Sequence, residues 1–478
     1  MNAPDSFKSL LGARCLQDSE RLRPYEVPER GTPGRAACVL LPESEEEVGA
    51  ILLVANEQSL KLVISAGRTG LVEAQRPDGE SVLSLERLRR IGEIDASGRS
   101  VIAQAGVTID ALNEALQPHN LFWPIEMGSS SAATVGACVA NGSAGANAVC
   151  YGTAAHLCEA AWGYWGSSEP AGPCAAPGWR TPPANQLAID SARLHPEWGL
   201  VGGQGSLGVI TRVKLRLHPI PAQREAALIP ADGMPAAMDI LAAARVEFGG
   251  DVEEFEFISR TALELVKALK GASLRLPFSR EPDAPFFLLL QIKSHDDADL
   301  VSRLYAFLAK ELCLPDERIG YAPLAVLKSI RHSITEASNA RARQLGGGRL
   351  TFDTATPVAV LGEYLKELAS QIARTASGVQ FVAFGHAGVG GAHLHLLGSR
   401  DQPIGEQADE LIKLVFDVTQ RCGGTFSAEH GVGAKWSEEF LRRTPAPVLQ
   451  EMIAAKRARD PRNVLNPRCL GFNRLLIG

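Results

Sequence analysis

Between Phe384 and Leu397 the chain reads FGHAGVGGAHLHLL, a stretch with three of its ten histidines, four glycines and no other ionisable side chain. His386 ends the apolar run QFVAFG, and His393 and His395 lie two apart on the next β-type run, so they share one face of it. A glycine turn between the runs brings His386 back toward His393. Two imidazoles leave a metal site incomplete, because zinc normally takes at least three protein ligands. A second glycine-flanked loop, GGTFSAEHGVG, sets Glu429 beside His430. A lone histidine at a strand end is usually a satisfied hydrogen-bonding residue, but four such residues in two glycine loops favour chemistry. A divalent metal would lower the pKa of a coordinated hydroxyl, and a neutral imidazole close by can take the proton. The same residues would also suit a zinc hydrolase, so residue types alone leave both open.

Two kinds of segment have to position these loops. The first half carries short β-type runs separated by glycine: AACVLL, KLVISAG, SVLSLERL, SVIAQAGVTI and GVITRVKLRLHP. Between the first two lies a helix-period segment that Ser44 should cap, with Glu47 completing a capping box. From about Pro221 long amphipathic stretches alternate with the strands EEFEFIS, FFLLLQIK and QFVAFG, the texture of an α+β unit with its own core. The prolines and glycines of GYWGSSEPAGPCAAPGWRTPPANQ read as a surface loop that Trp162, Trp165 and Trp179 anchor. The end, DPRNVLNPRCLGFNRLLIG, reads as an extended strap. Adjacent Glu253 and Glu254 should face opposite ways on a solvated strand edge.

Composition narrows the function classes. At 478 residues, with 45% hydrophobic and 21% charged residues, the chain suits two or three compact units. The net charge of -6, with both signs interspersed, offers nucleic acid and anionic lipid no basic face. We find no apolar run long enough to cross a bilayer and no secretory signal, so the cytoplasm is expected. Nine scattered cysteines without a C-x-x-C pair fit reduced thiols.

Three glycine-rich pieces could receive a phosphate-bearing ligand: SAGRTGL (Ser65 to Leu71), MGSSSAATVGACVANGSAGANAVCYG (Met127 to Gly152) and GGQGSLGVITRVKL. Each alone could be a tight turn. In their order and spacing the sequence resembles the vanillyl-alcohol-oxidase (PCMH-type) FAD flavoproteins, in the branch of D-lactate dehydrogenase, the glycolate oxidase flavin subunit and D-2-hydroxyglutarate dehydrogenase. The resemblance runs from about Pro24 to Pro467. The pyrophosphate motif P-R-G-G-G-T-G-L falls on ISAGRTGL, with Ala66 and Arg68 replacing two glycines. T-I-G-G-x-x-A-N-N-S-S-G falls on TVGACVANGSAG, and G-S-E-G-T-L-G-I on GGQGSLGV, with Gln204 replacing an acid.

The resemblance implies an α+β fold: a two-part FAD-binding domain (1–220), a cap or substrate domain (221–425) and a C-terminal segment (426–478) returning to the flavin. It implies noncovalent FAD held by Ser65, Gly67, Arg68, Thr69, Gly70, Leu71, Gly128, Ser129, Thr134, Gly136, Asn141, Ser143, Gly205, Gly208, Val209, Ile210 and Asn466. H-x-G-D-G-N-x-H falls on HAGVGGAH and G-E-H-G-V-G on AEHGVG, so His386, His393 and Glu429 would hold a divalent metal, zinc being the expected ion, and His430 would be the base. Val389 and Gly391 replace an Asp and an Asn, which predicts a roomier pocket and a lost polar contact. R-x-x-I-T is present as RHSIT, giving Arg331 and Thr335 for a carboxylate, with His395 also toward the substrate. The lysine of K-Y-D is replaced by Thr351, and Arg349 on the same face is the expected substitute.

The implied reaction is oxidation of a D-2-hydroxy acid, with a flavoprotein carrier or quinone as electron acceptor, and a homodimer is an open alternative for the assembly. Other readings are a metal-independent FAD oxidoreductase of another alcohol, a zinc hydrolase, and a flavin-binding scaffold without activity.

Overall fold

The computed structural model describes residues 3–29, 31–296 and 299–476. The first half builds two principal sheets. One has four strands in the order β1 (Cys15–Leu16), β2 (Val39–Leu40), β4 (Ser81–Ser84), β3 (Leu62–Ser65), parallel where β2 and β3 flank β4. The helix Glu45–Glu57 links β2 to β3; its N-cap Ser44 accepts from the Glu47 amide, while the Glu47 carboxylate turns to the Glu43 amide and Arg14. The second sheet is antiparallel in the order β5 (Ile91–Asp95), β6 (Ser100–Gln104), β10 (Gly208–Arg216), β8 (Cys158–Trp165), β9 (Pro170–Cys174). A small pair, β7 (Leu121–Phe122) and β11 (His218–Pro219), completes this half. One large apolar core, with Trp123, Val213 and Phe472 fully buried, unites both sheets with the end of the chain. The predicted Pro/Gly loop is thus partly regular: Pro170–Cys174 pairs with β8 as an edge strand, where a missing N–H is tolerated.

The second half is a six-stranded antiparallel sheet in the order β12 (Gln223–Ala231), β14 (Phe286–Ser294), β13 (Val252–Ser259), β16 (Gln380–Gly385), β17 (Gly391–Ser399), β15 (Gly346–Ala355). Because side chains alternate along a strand, the sheet feeds two cores. Phe255, Phe257, Leu394 and Leu396 enter one; Ile258, Phe384 and Leu397 enter the other, which the helices Leu324–His332 and Ile334–Leu345 cover. His393 and His395 alternate with Leu394 and Leu396 and so lie on the helix-covered side.

The solvated edge expected at Glu253 and Glu254 is wrong. β13 is interior, and Glu253, Glu254 and Glu256 are all buried. Glu253 is ion-paired to Arg224, Glu254 to Lys328 and Glu256 to Arg331. Charges sit in a core only when paired in this way.

The chain end returns to the first half. Leu465 bridges Leu62 in β3, and the strap then finishes in the short helix Phe472–Leu475 rather than remaining extended. Lys456, fully buried, holds the Asp460 carboxylate at 2.7 Å and donates to the carbonyls of Ser206 and Leu465.

Candidate active site

Two neighbouring cavities lie between the glycine-rich loops and the helix-covered face of the large sheet. The first, of about 320 Å³, is lined by Ser65, Gly67, Arg68, Thr69, Gly70 and Leu71. Gly128, Ser129, Gly136, Asn141, Ser143, Gly205, Gly208, Val209, Ile210 and Asn466 complete much of its wall. Thr134 is the exception among the expected flavin contacts. It is buried at the N-terminus of the helix Val135–Asn141, its Oγ1 lacks a hydrogen-bond partner, and it does not line the cavity.

The cradle fits a flat phosphate-bearing ligand. A Cβ on Gly67 would lie 1.9 Å from the Ala132 carbonyl oxygen, so this loop and the next approach too closely for any other residue. Arg68 takes the left-handed φ of 60°, and its guanidinium pairs with Glu86 and stacks on Tyr25. The buried Ser65 Oγ in the cavity wall has no protein partner and is available to a ligand. Asn466 accepts from the Ile64 amide and donates to the Gln204 carbonyl. Gln204 Oε1 in turn accepts from the amides of Val432 and Gly433, so the residue that replaces an acid ties a flavin loop to the C-terminal loop.

The second cavity, of about 180 Å³, is lined by Arg331, Thr335, Thr351, Asp353, Phe384, His393, His395, His430 and Lys435 among others. Register explains the grouping. Across β17, His393 faces Phe384 of β16 and Asp353 of β15, while His395 faces Val382 and Thr351. Arg349 is opposite Leu397 and lies outside the lining, so the position of the absent lysine is held by Thr351 itself. Isolated bridges from Thr425 to Ala355 and from Ser427 to Asp353 pin the Glu429–His430 loop against β15.

His386 Nε2 is 3.3 Å from His393 Nε2 and 3.2 Å from Glu429 Oε1. The candidate donor atoms of His386, His393 and Glu429 all lie within 4.8 Å of one another. Three convergent N and O donors, two imidazoles and a carboxylate, fit a zinc-type site that keeps a position open. Burial would lower the His386 pKa, but the Glu256 and Glu429 carboxylates outweigh it and hold it at about 10. Burial and the neighbouring His386 charge push His393 well below its ordinary value, keeping that ring neutral.

Two residues in contact with the candidate site escaped the sequence reading. Asp353 Oδ2 lies 3.2 Å from His430 Nδ1 and accepts from the backbone amides of Glu429 and His430, so it orients the ring and its loop. The K-Y-D match, whose aspartate it is, was the available signal. Glu256 is the second, with Oε1 2.5 Å from His386 Nδ1. Despite burial, His386 and Arg331 hold its carboxyl down at about 2. Val389 itself packs with Val149 and Ile189, and a Cβ on Gly391 would come within 3.3 Å of Ile189.

This arrangement has the architecture of a vanillyl-alcohol-oxidase-type FAD flavoprotein, and known proteins agree. Residues 36–161 match the family described as FAD binding domain, and residues 220–470, more than half of the chain, match FAD linked oxidases, C-terminal domain. The chain belongs to the FAD-linked oxidase family. D-2-hydroxyglutarate dehydrogenase of Xanthomonas citri pv. viticola is 28% identical over 449 residues, covering 92% of this chain and 89% of that protein. D-lactate dehydrogenase of Archaeoglobus fulgidus is 29% identical over 466 residues, 94% and 95% of the two chains. Among solved structures, p-cresol methylhydroxylase with substrate bound aligns over 99% of this chain and 97% of that one, with a TM-score of 0.71 at 15% identity. Alkyldihydroxyacetonephosphate synthase aligns over 98% and 84%, with the same TM-score and identity. Among the described residues no helix is long and apolar enough to cross a membrane.

Proposed function

We propose that this FAD enzyme oxidises a D-2-hydroxy acid to the 2-oxo acid, with a divalent metal at His386, His393 and Glu429 and with His430 as the base. Bound FAD supplies an acceptor for two electrons, and a bound divalent metal supplies a Lewis acid for the substrate hydroxyl. The observation that carries the reading is that His430 belongs to the walls of both cavities, so one side chain borders the cofactor groove and the substrate pocket.

The chain's own residues divide the remaining work. Arg331, its guanidinium stacked 4.7 Å over the Phe384 ring, offers a preset cation for the substrate carboxylate, with Thr335 beside it. His430 Nε2 takes the hydroxyl proton, while Asp353 at Nδ1 fixes the tautomer and steadies the imidazolium that forms. Leu71 and Val72 wall the pocket next to the cofactor groove and limit water. The two relatives whose names specify D-hydroxy acids support the substrate class. With this reading goes a division of the chain at 220/221 and 425/426.

The test is anaerobic: matched D- and L-2-hydroxy acids are added to the purified flavoprotein. Bleaching of the flavin by D-isomers alone is expected. If no hydroxy acid of either hand bleaches it, the reading fails.

A further inference from the structure

The register between β13 and β16 pairs Phe257 with Gly385 and Ile258 with Phe384, so one step on it sets Glu256 opposite His386. Glu256 is 1% exposed, and its two oxygens serve different masters. Oε1 lies 2.5 Å from His386 Nδ1, and Oε2 accepts from Arg331 Nε at 2.6 Å. The first contact turns His386 Nε2 toward His393 and Glu429. The second, with Phe384 against the flat face, fixes the Arg331 guanidinium by its Nε edge and leaves the Nη edge for the pocket. An imidazole on one side and a guanidinium on the other, each within hydrogen-bond reach, also explain how a carboxylate can be tolerated at that depth.

We propose that Glu256 is a positioning residue that joins the two halves of substrate recognition, aligning a metal ligand with one oxygen and the carboxylate-binding arginine with the other. The inference rests on the metal-assisted reading above. It implies that the strand Val252–Ser259 keeps the His386 end of the metal site ordered. A carboxylate behind a ligating imidazole typically governs metal affinity by about 10- to 100-fold.

The experiment uses FAD-loaded full-length protein. Zinc affinity is measured by competition with a chromophoric chelator, and kcat and KM for a D-2-hydroxy acid are measured at saturating zinc. Glu256→Gln keeps the volume but cannot accept from both partners. Its zinc Kd should rise by at least about tenfold, and KM should rise on the order of tenfold with a smaller change in kcat, from one charge-assisted contact to the substrate arginine lost. If Glu256→Gln fails to fold, Glu256→Asp keeps the buried charge yet is one methylene too short to span both partners, and at least one of the two constants should shift by about tenfold. A lowered melting temperature with both constants unchanged would reduce Glu256 to a structural ion and overturn the inference alone. Absence of zinc binding in the unmutated protein would overturn the metal reading and this inference with it.

Discussion

Asp353 faces two histidines of the site, His430 Nδ1 at 3.2 Å and His393 Nδ1 at 3.8 Å, so His430 holds the closer contact. His386 sits between Glu256 and Glu429, whereas His430 has Asp353 at Nδ1 and keeps Nε2 for the pocket. Asp353→Asn, whose amide oxygen can still accept from the Glu429 and His430 amides, should therefore let the His430 ring choose the wrong tautomer. The rate of anaerobic flavin reduction should fall by roughly 100-fold or more, the range that general-base catalysis covers. Unchanged reduction would remove Asp353 from the chemistry. The histidines and Glu429 were legible in the sequence because glycines flank them on both sides. Asp353 and Glu256 were not, because each acts through a cross-strand neighbour far away in the chain, and pairing across a sheet leaves no local spacing to read.

At the scale of elements, the strand Val252–Ser259 shows why alternation alone misled. Its acids looked like a solvated edge, but it is interior to the sheet, and Lys328, 2.6 Å from Glu254, comes from a covering helix. Burial pushes the Glu254 carboxyl up to about 7, outweighing that ammonium, with Glu126 and Glu256 adding repulsion. Between the ordinary glutamate range and about 7, the folded state binds more protons than the unfolded one, so stability falls as pH rises through that window. Glu254→Gln should flatten this loss, gaining on the order of 1–3 kcal/mol at pH 8 relative to pH 5. Denaturant midpoints at the two pH values read it, and parallel pH profiles would contradict it. The glycine loops were legible as a cradle, and the close approach at Gly67 gives that a consequence. Gly67→Ala forces a methyl onto the Ala132 carbonyl, so purified protein should carry much less flavin per chain. Full flavin content would show that the loop can shift.

At the scale of the molecule, the loop of Glu429 and His430 is held from both ends of the fold. The segment after Thr425 leaves the large sheet, carries Glu429 and His430, and is fastened to the first half through Gln204, Asn466 and the buried Lys456–Asp460 pair. Asp460→Ala strands an ammonium in the core and should cost about 3–5 kcal/mol in equilibrium unfolding. A loss under about 1 kcal/mol would mean that the Ser206 and Leu465 carbonyls suffice for Lys456. The family resemblance made this return of the chain legible, whereas its fastening depends on buried pairs that become visible only in three dimensions. The claim at the centre is that the two histidines and the glutamate act through a metal. The direct measurement is the rate at which a D-2-hydroxy acid bleaches the flavin anaerobically in protein stripped of metal with FAD retained, and again after zinc is returned. Loss of bleaching on stripping and recovery with zinc is expected; bleaching at the full rate by the metal-free flavoprotein would contradict the claim.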